Sequence, residues 1–362
     1  MLPVLFTLTV PAELVMPLAI LVIAVVAFAR AWAFRRRMAE AEKKIGWGAA
    51  LWDDRWTLGA LAAGLVFLWR AGILEGELSL PLHTYGLLIA TGFIVAITLA
   101  QREARRRGQE ADRIGDLAFW VLLAALAGSR IFFIAVNWND YFGENAWIVF
   151  HGARIPRLVA IWEGGLVFYG GFIAAAFTAW WYMRRARLPF LPYADTLIPS
   201  VSVGHFFGRL GCFAAGCCWG RVSEAHLPWL VRFPPGSLAY QSFVARPNAA
   251  EFLTPDRLTT RPVHPTQLYE AFGELALYAV LVYLVRPVKR FHGQVLATWL
   301  MAYAVLRTTV EFFRGDVERG VILGLGVGQW TSMAIFAAGV AVWAIGRKRG
   351  RIAREPRRSI AA

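Results

Sequence analysis

Nine stretches of this chain are long and apolar enough to cross a lipid bilayer, and that pattern limits the fold before any motif is read. Hydrocarbon offers no water to bond, so each crossing satisfies its own backbone as a helix. A helical crossing needs about 20 residues. The stretches lie near 12–34, 57–73, 84–101, 115–136, 165–183, 193–211, 266–285, 293–313 and 325–345. With 58% hydrophobic and 17% charged residues, the composition departs from that of a soluble domain of this length. Sixteen tryptophans suit many interfacial anchors. The fold class is therefore an all-α polytopic membrane protein.

A net charge of +14 raises nucleic acid as a partner, but the distribution of charge excludes it. Arg30 and five connections (Arg35 to Lys44, Arg102 to Arg113, Arg184 to Arg187, Arg286 to Arg290, Arg347 to Arg358) hold 24 of the 38 Lys and Arg residues. The opposite connections, Glu75 to His83 and Asn137 to Phe150, hold almost none. This positive-inside pattern puts the N-terminus outside and the C-terminus in the cytoplasm. Anionic lipid headgroups account for the basic loops. Segment 12–34 lacks a preceding basic region and is too long for a signal peptide, so it reads as a retained anchor. Residues 348–362 read as a basic cytoplasmic tail.

Two connections stand out on the other side. Residues 218–262 are dense in turn signals, with Pro228, Pro234, Pro235, Gly236, Pro247 and Pro255. They predict a small extracytoplasmic head of loops and short strands. Residues 137–162 carry Trp138, Tyr141, Trp147 and Trp162. They read either as an amphipathic arm on the lipid surface or as a solvated loop.

Arginines inside spans are costly, about 2.5–3.5 kcal/mol each at a helix centre. Arg130, Arg209 and Arg307 fall in the fourth, sixth and eighth segments. They either pair with Glu163, Glu270 or Glu311 or present their planar forks to an anion such as phosphate. In the eighth segment Tyr303, Arg307, Glu311 and Arg314 follow at spacings of four, four and three, which predicts one polar helix face. His264 to Glu270 (His-Pro-Thr-Gln-Leu-Tyr-Glu) opens the seventh span, with Thr266 a candidate cap and His264 a candidate proton carrier. Glu163, Gly164, Gly165, Tyr169, Gly170 and Gly171 open the fifth span, and His83, Thr84, Tyr85 and Gly86 open the third. By this topology Tyr85, Glu163, Arg209, His264 and Glu311 all reach the outer half of the membrane. Their convergence describes a site for an anionic headgroup.

All three cysteines, Cys212, Cys217 and Cys218, lie in one glycine-rich run from Gly208 to Arg221. They are close in sequence and have no evident histidine or carboxylate partner, so no metal site and no cofactor is expected. A thiol lowered in pKa by Arg209, a disulfide on an oxidising face, and simple small-residue packing all remain open.

From about Leu82 to Arg347 the chain resembles the prolipoprotein diacylglyceryl transferase family. The resemblance rests on Tyr85-Gly86, Gly128-Ser129-Arg130, Glu163-Gly164-Gly165 with Gly170-Gly171, Gly208-Arg209-Leu210-Gly211, Trp219-Gly220-Arg221, His264 to Glu270, and Arg307 with Glu311 to Arg314. It implies a seven-helix core over residues 81–347 with an outward-facing head, preceded by an extension of two spans in residues 1–80. It also implies a reaction in the bacterial inner membrane, with the active site toward the periplasm. The diacylglyceryl group of phosphatidylglycerol passes to the lipobox cysteine thiol of a prolipoprotein signal peptide, and glycerol 1-phosphate leaves. Arg209 and Arg307 match the family's arginines and would hold the phosphate, with Glu311 orienting Arg307. Tyr85, Gly86, Arg130, Glu163, Gly220, Gln267, Tyr269, Glu270, Tyr303 and Arg314 complete the expected substrate-binding set.

The chain departs from the best-known members at three places. Tyr169 stands where they carry a histidine assigned as the base, Cys212 where they carry asparagine, and Cys217 where they carry glutamate. An unperturbed phenol titrates near 10. Proton removal would then fall to His264, to an arginine-activated tyrosinate, or to no protein group. The cysteine-containing signature resembles that of a divergent subgroup. The departures leave a paralogue that binds or moves anionic phospholipid as the alternative, and a thiol redox protein as a weaker one.

Overall fold

The computed structural model describes residues 78–350 apart from gaps at 143–145, 151–152, 160–164, 166, 226, 316–320 and 323–324. It also describes strand β1 (Val4–Val10) and scattered positions before residue 78. The spans predicted at 12–34 and 57–73, and the tail from 351, lie largely or wholly outside the described residues.

After strand β2 (Leu78–His83) come α1 (Thr84–Arg106), α2 (Ala111–Val136), the short α3 (Trp138–Phe142) and strands β3 (Trp147–Phe150) and β4 (Ala153–Pro156). Helices α4 (Phe168–Arg185), α5 (Phe190–Ala215), α6 (Leu238–Val244), α7 (Thr266–Ala279), α8 (Gln294–Glu311) and α9 (Val327–Lys348) follow. The seven long helices match the last seven predicted segments to within a few residues at most ends. Helices α1, α2, α9 and α7 with its continuation to Val288 are long and apolar enough to cross a membrane. That continuation is a π-helical turn over Val280–Val285. Helix α5 is as long as α2, at 26 residues, but its hydropathy is interrupted by Asp195, Thr196, Ser200, Ser202, His205 and Arg209.

The chain divides into two units, one of residues 82–128 and 171–362 with the first five residues, the other of 6–81 and 129–170. In the first, α5 packs against α1 and α7, and α8 packs against α7, α5 and α9. One end of this bundle is fastened by buried charge. The Asp195 carboxylate is fully buried and accepts from the backbone N–H of Gly293 at 2.7 Å and of Leu296 at 3.0 Å. It thus caps α8 from a neighbouring helix, and Lys289 pairs with it at 2.9 Å. Beside it, Arg286 pairs with Glu103 at 3.4 Å and donates to the Thr196 carbonyl at 3.1 Å. Headgroup binding is therefore not the full account of the basic loops, because Arg286 and Lys289 neutralise acids inside the bundle.

At the opposite end, residues 216–265 enclose an apolar cluster of Trp219, Phe233, Ala239, Phe243, Leu253 and Val263. Loops joined by isolated bridges (Val222 and Val231 to Val263, Leu253 to Thr260) surround it. Ser237 caps α6 through Tyr240 N–H at 3.3 Å. The predicted short strands are thus single bridges, and the regular element is a helix.

In the second unit the described part of 137–162 is α3 followed by an antiparallel hairpin pairing Trp147 with Pro156 through Phe150 with Ala153. Trp138 and Phe142 stack at 4.0 Å on the exposed side of α3, and Trp147 and Val149 are exposed on the hairpin.

Candidate functional site

Three helices of the first unit each carry polar residues four apart, which lie on one helix face. Helix α5 supplies His205 and Arg209, α7 supplies Glu270 and Glu274, and α8 supplies Trp299, Tyr303, Arg307 and Glu311. The faces meet. Both glutamates are fully buried, and a buried carboxylate requires a partner. Glu270 Oε1 accepts from Arg209 Nη2 at 2.7 Å and from the Tyr303 hydroxyl at 3.4 Å. Glu274 takes His205 Nδ1 at 2.8 Å and the Trp299 indole N–H at 3.3 Å. Arg209 Nε donates to His205 Nε2 at 3.2 Å. With Nε2 accepting from Arg209, Nδ1 is the ring atom directed at Glu274. Arg209 is held from behind through Nε and Nη2, and its Nη1 has no hydrogen-bond partner among the described residues.

Arg307 and Glu311, both largely buried, pair at 2.5 Å. The Glu311 carboxylate rests on Gly328, in the first turn of α9. A Cβ there would lie 2.7 Å from Oε1, so the position admits only glycine without displacing the acid. The positive end of the α9 dipole favours a carboxylate at this place. Tyr303, one turn before Arg307 on α8, reaches Glu270 with its hydroxyl at 3.4 Å, so the helix face that carries Arg307 also touches the Arg209 cluster. The predicted face on α8 holds for Tyr303, Arg307 and Glu311. Arg314 departs from it, because the helix ends at Glu311 and Arg314 instead forms a backbone bridge with Gly220.

That bridge closes the rim of the site. Gly220 N–H donates to the His264 carbonyl at 2.9 Å, and Arg221 N–H to the Phe313 carbonyl at 2.8 Å. A Cβ on Gly220 would fall 2.7 Å from the Phe313 carbonyl oxygen, so this junction needs glycine. His264 is buried against the Phe313 ring at 5.1 Å, with Nδ1 3.0 Å from the Tyr269 hydroxyl. Burial, aided by the Arg221 charge, holds its imidazole below the ordinary value of 6.5.

Thr266 does not cap its helix as expected. Pro265 occupies the cap position, and the Thr266 hydroxyl donates to the Cys218 carbonyl at 2.8 Å. Gln267, expected at the substrate, donates its amide to the Cys217 carbonyl at 2.6 Å. The start of α7 thus clamps the cysteine loop. Within that loop Cys212, Cys217 and Cys218 stand as thiols with their sulfur atoms within 4.8 Å of one another. Cys218 adopts φ of 60°, unusual for a residue with a side chain. Hydrogen bonds from the Cys212 and Cys217 thiols, with the charges of Arg314 and Arg209, pull the Cys218 thiol well below its ordinary range. The Tyr85 ring lies against Gly211 beside them, while Gly86 borders open space.

Three further predicted residues belong to the second unit or fall outside the described residues. Arg130 belongs to the second unit, where it is buried. It donates to the carbonyls of Arg157 at 3.0 Å, Leu158 at 3.2 Å and Gly165 at 3.4 Å, and lies 5.2 Å from the Tyr141 ring centre. Its guanidinium thus ties the loop carbonyls together within that unit. Tyr169, in the same unit, is exposed in the first turn of α4. Glu163 lies outside the described residues.

Sequence reasoning passed over His205, Glu274 and Trp299. Their spacing of four from Arg209, Glu270 and Tyr303 was the available signal.

A model of the family described as prolipoprotein diacylglyceryl transferase matches residues 74–345 of the chain. The chain belongs to the prolipoprotein diacylglyceryl transferase family. Among curated relatives, the phosphatidylglycerol–prolipoprotein diacylglyceryl transferase of Psychrobacter arcticus is 32% identical over 277 residues, covering 75% of this chain and 91% of its own length. Those of Burkholderia mallei and Mycobacterium leprae are 32% and 31% identical over 292 and 277 residues. They cover 76% and 75% of this chain, and 94% and 78% of their own lengths. The family match contains the whole arginine–glutamate cluster and the cysteine loop, and leaves residues 1–73 outside it.

Proposed function

We propose that this family member transfers the diacylglyceryl group of phosphatidylglycerol to the lipobox cysteine of prolipoproteins, at the periplasmic side of the bacterial inner membrane. The observation that carries the reading is the pair of arginine clusters, Arg209 with Glu270 and Arg307 with Glu311, with the Tyr303 hydroxyl on Glu270 from the helix that carries Arg307. Each guanidinium is held from one side by an acid. The phosphate of the leaving glycerol phosphate is a ligand of matching charge and fork geometry. As the thiolate sulfur displaces it from the glycerol carbon, negative charge grows on the phosphate oxygens, and fixed guanidinium donors stabilise that charge more than the ground state.

The carboxylates do more than neutralise. Glu270 and Glu274 fix Arg209 and His205 in a single arrangement, so little reorganisation accompanies charge transfer. His264 serves as the proton acceptor, because its depressed imidazole is neutral at pH 7. The first 73 residues are an addition to the catalytic core.

The test is to incubate purified protein with phosphatidylglycerol and a synthetic lipobox peptide and examine the peptide by mass spectrometry. The expected product carries a diacylglyceryl group on cysteine, with glycerol phosphate released in equal amount. Lipid binding without either product contradicts transfer and supports the phospholipid-binding alternative.

A further inference from the structure

The cysteine loop has a geometry that the arginine chemistry does not use. We infer that Cys212, Cys217 and Cys218 form a three-thiolate site for a soft divalent metal, zinc being the ion of matching chemistry. This goes against the expectation drawn from their closeness in sequence, and the fold supplies the reason. Cys212 lies in the last turn of α5. The chain then reverses at Gly216, in the left-handed conformation, and Cys218 adopts the same region at φ of 60°. The reversal returns Cys217 and Cys218 to the helix end, and the three sulfur atoms fall within 4.8 Å of one another.

Zinc–sulfur bonds of about 2.3 Å set sulfur–sulfur separations of about 3.8 Å, so each sulfur needs to move by only about 0.5 Å to bind. The loop is held for the purpose. Gln267 and Thr266 clamp the carbonyls of Cys217 and Cys218, and Cys217 N–H donates to the Cys212 carbonyl at 3.0 Å. Three thiolates on zinc carry one net negative charge, and the charges of Arg209 and Arg314 act at this loop. A left-handed non-glycine residue is a local strain that a packing role alone does not require.

Three protein ligands leave one tetrahedral position open, which is the arrangement of catalytic rather than structural zinc. A thiol is the ligand that completes a sulfur-rich set. Resting on the proposed transfer reaction, the incoming substrate is the cysteine of the prolipoprotein. Its sulfur would bind the metal as thiolate and give its proton to His264, the acceptor of the proposed transfer, and the held sulfur would then attack the glycerol carbon. The C–O bond to phosphate breaks, and the phosphate leaves with the electron pair. No oxidant or reductant enters.

The test separates the site from its role. Full-length protein is purified anaerobically and its zinc measured by elemental analysis, then exchanged for cobalt. The expected result is one zinc per chain, and sulfur-to-cobalt charge-transfer absorption that is lost in Cys218→Ser and in Cys212→Ser, each checked for an unchanged unfolding temperature. Adding a lipobox peptide should raise the charge-transfer intensity by about one third, as three sulfur ligands become four, while the same peptide with serine for cysteine leaves it unchanged. Two results overturn the metal site: zinc well below one per chain even after zinc is supplied, or a disulfide within the trio in the anaerobic protein. A metal that does not respond to the peptide overturns the thiol-capture role. Diacylglyceryl transfer by metal-free protein at the full rate does the same while leaving the transfer reaction in place.

Discussion

Replacing Arg209 by alanine would leave Glu270 buried without its guanidinium, with the Tyr303 hydroxyl at 3.4 Å and the His205 ring at 3.6 Å. Orphaning a buried charge in this way costs about 3–5 kcal/mol, so that variant tests stability as much as chemistry. Arg209→Lys is the cleaner probe. It keeps the charge beside Glu270 but loses the planar fork. Transfer should fall roughly 100-fold, in line with the loss of one fixed donor to a transition-state oxyanion, with the unfolding temperature close to that of the parent protein. At Gly220 the obstacle is steric. Gly220→Ala places a methyl against the His264 and Phe313 carbonyls, and overpacking of this kind costs about 1–3 kcal/mol, readable as a lower unfolding temperature in detergent. His264 carries a pH signature. Its folded pKa lies below its unfolded value of 6.5, so the unfolded chain binds the extra proton. The stabilising contribution is therefore present above pH 6.5 and is lost as pH falls through the folded pKa. Unfolding temperatures measured down the acid side should fall less steeply in His264→Gln than in the parent.

At the scale of elements, matched charges fasten one end of the bundle. The end near Asp195 has its charges matched internally, with Lys289 on Asp195 and Arg286 on Glu103. Asp195→Ala removes the cap of α8 and leaves Lys289 without its carboxylate. A loss of about 3–5 kcal/mol is expected, measured by chemical unfolding, with little change in the turnover of the protein that remains folded. Helix positions were legible in the sequence because hydropathy and length suffice for them, and all seven core segments appear. Helix rotation was not. Arg209 and Glu270 were visible as costly residues in separate spans. His205 and Glu274 look ordinary until the facing surfaces of α5 and α7 are known. Arg314 shows the same limit: its spacing fitted a helix face, but the chain leaves the helix at Glu311 and turns toward Gly220. Thr266 resembled a cap by composition, yet its hydroxyl is directed to the Cys218 carbonyl, a contact 48 residues distant.

For the molecule as a whole, we propose that the alternation of basic and non-basic connections sets the orientation. Alkaline phosphatase fused within the loops near Asn248 should be active, and the same reporter fused after Arg187 inactive. The reverse pattern contradicts the orientation drawn from charge. Family membership and the polar interior then make one claim together: a bundle of apolar helices holds two acid-braced arginines where a phospholipid phosphate leaves. The most direct measurement follows thioether product and glycerol phosphate together, from phosphatidylglycerol and a lipobox peptide, in the parent protein and in Arg209→Lys and Arg307→Lys. The account predicts equal amounts of both products from the parent and a roughly 100-fold loss of both in each folded variant. Undiminished turnover in both variants, or glycerol phosphate without thioether, would contradict it.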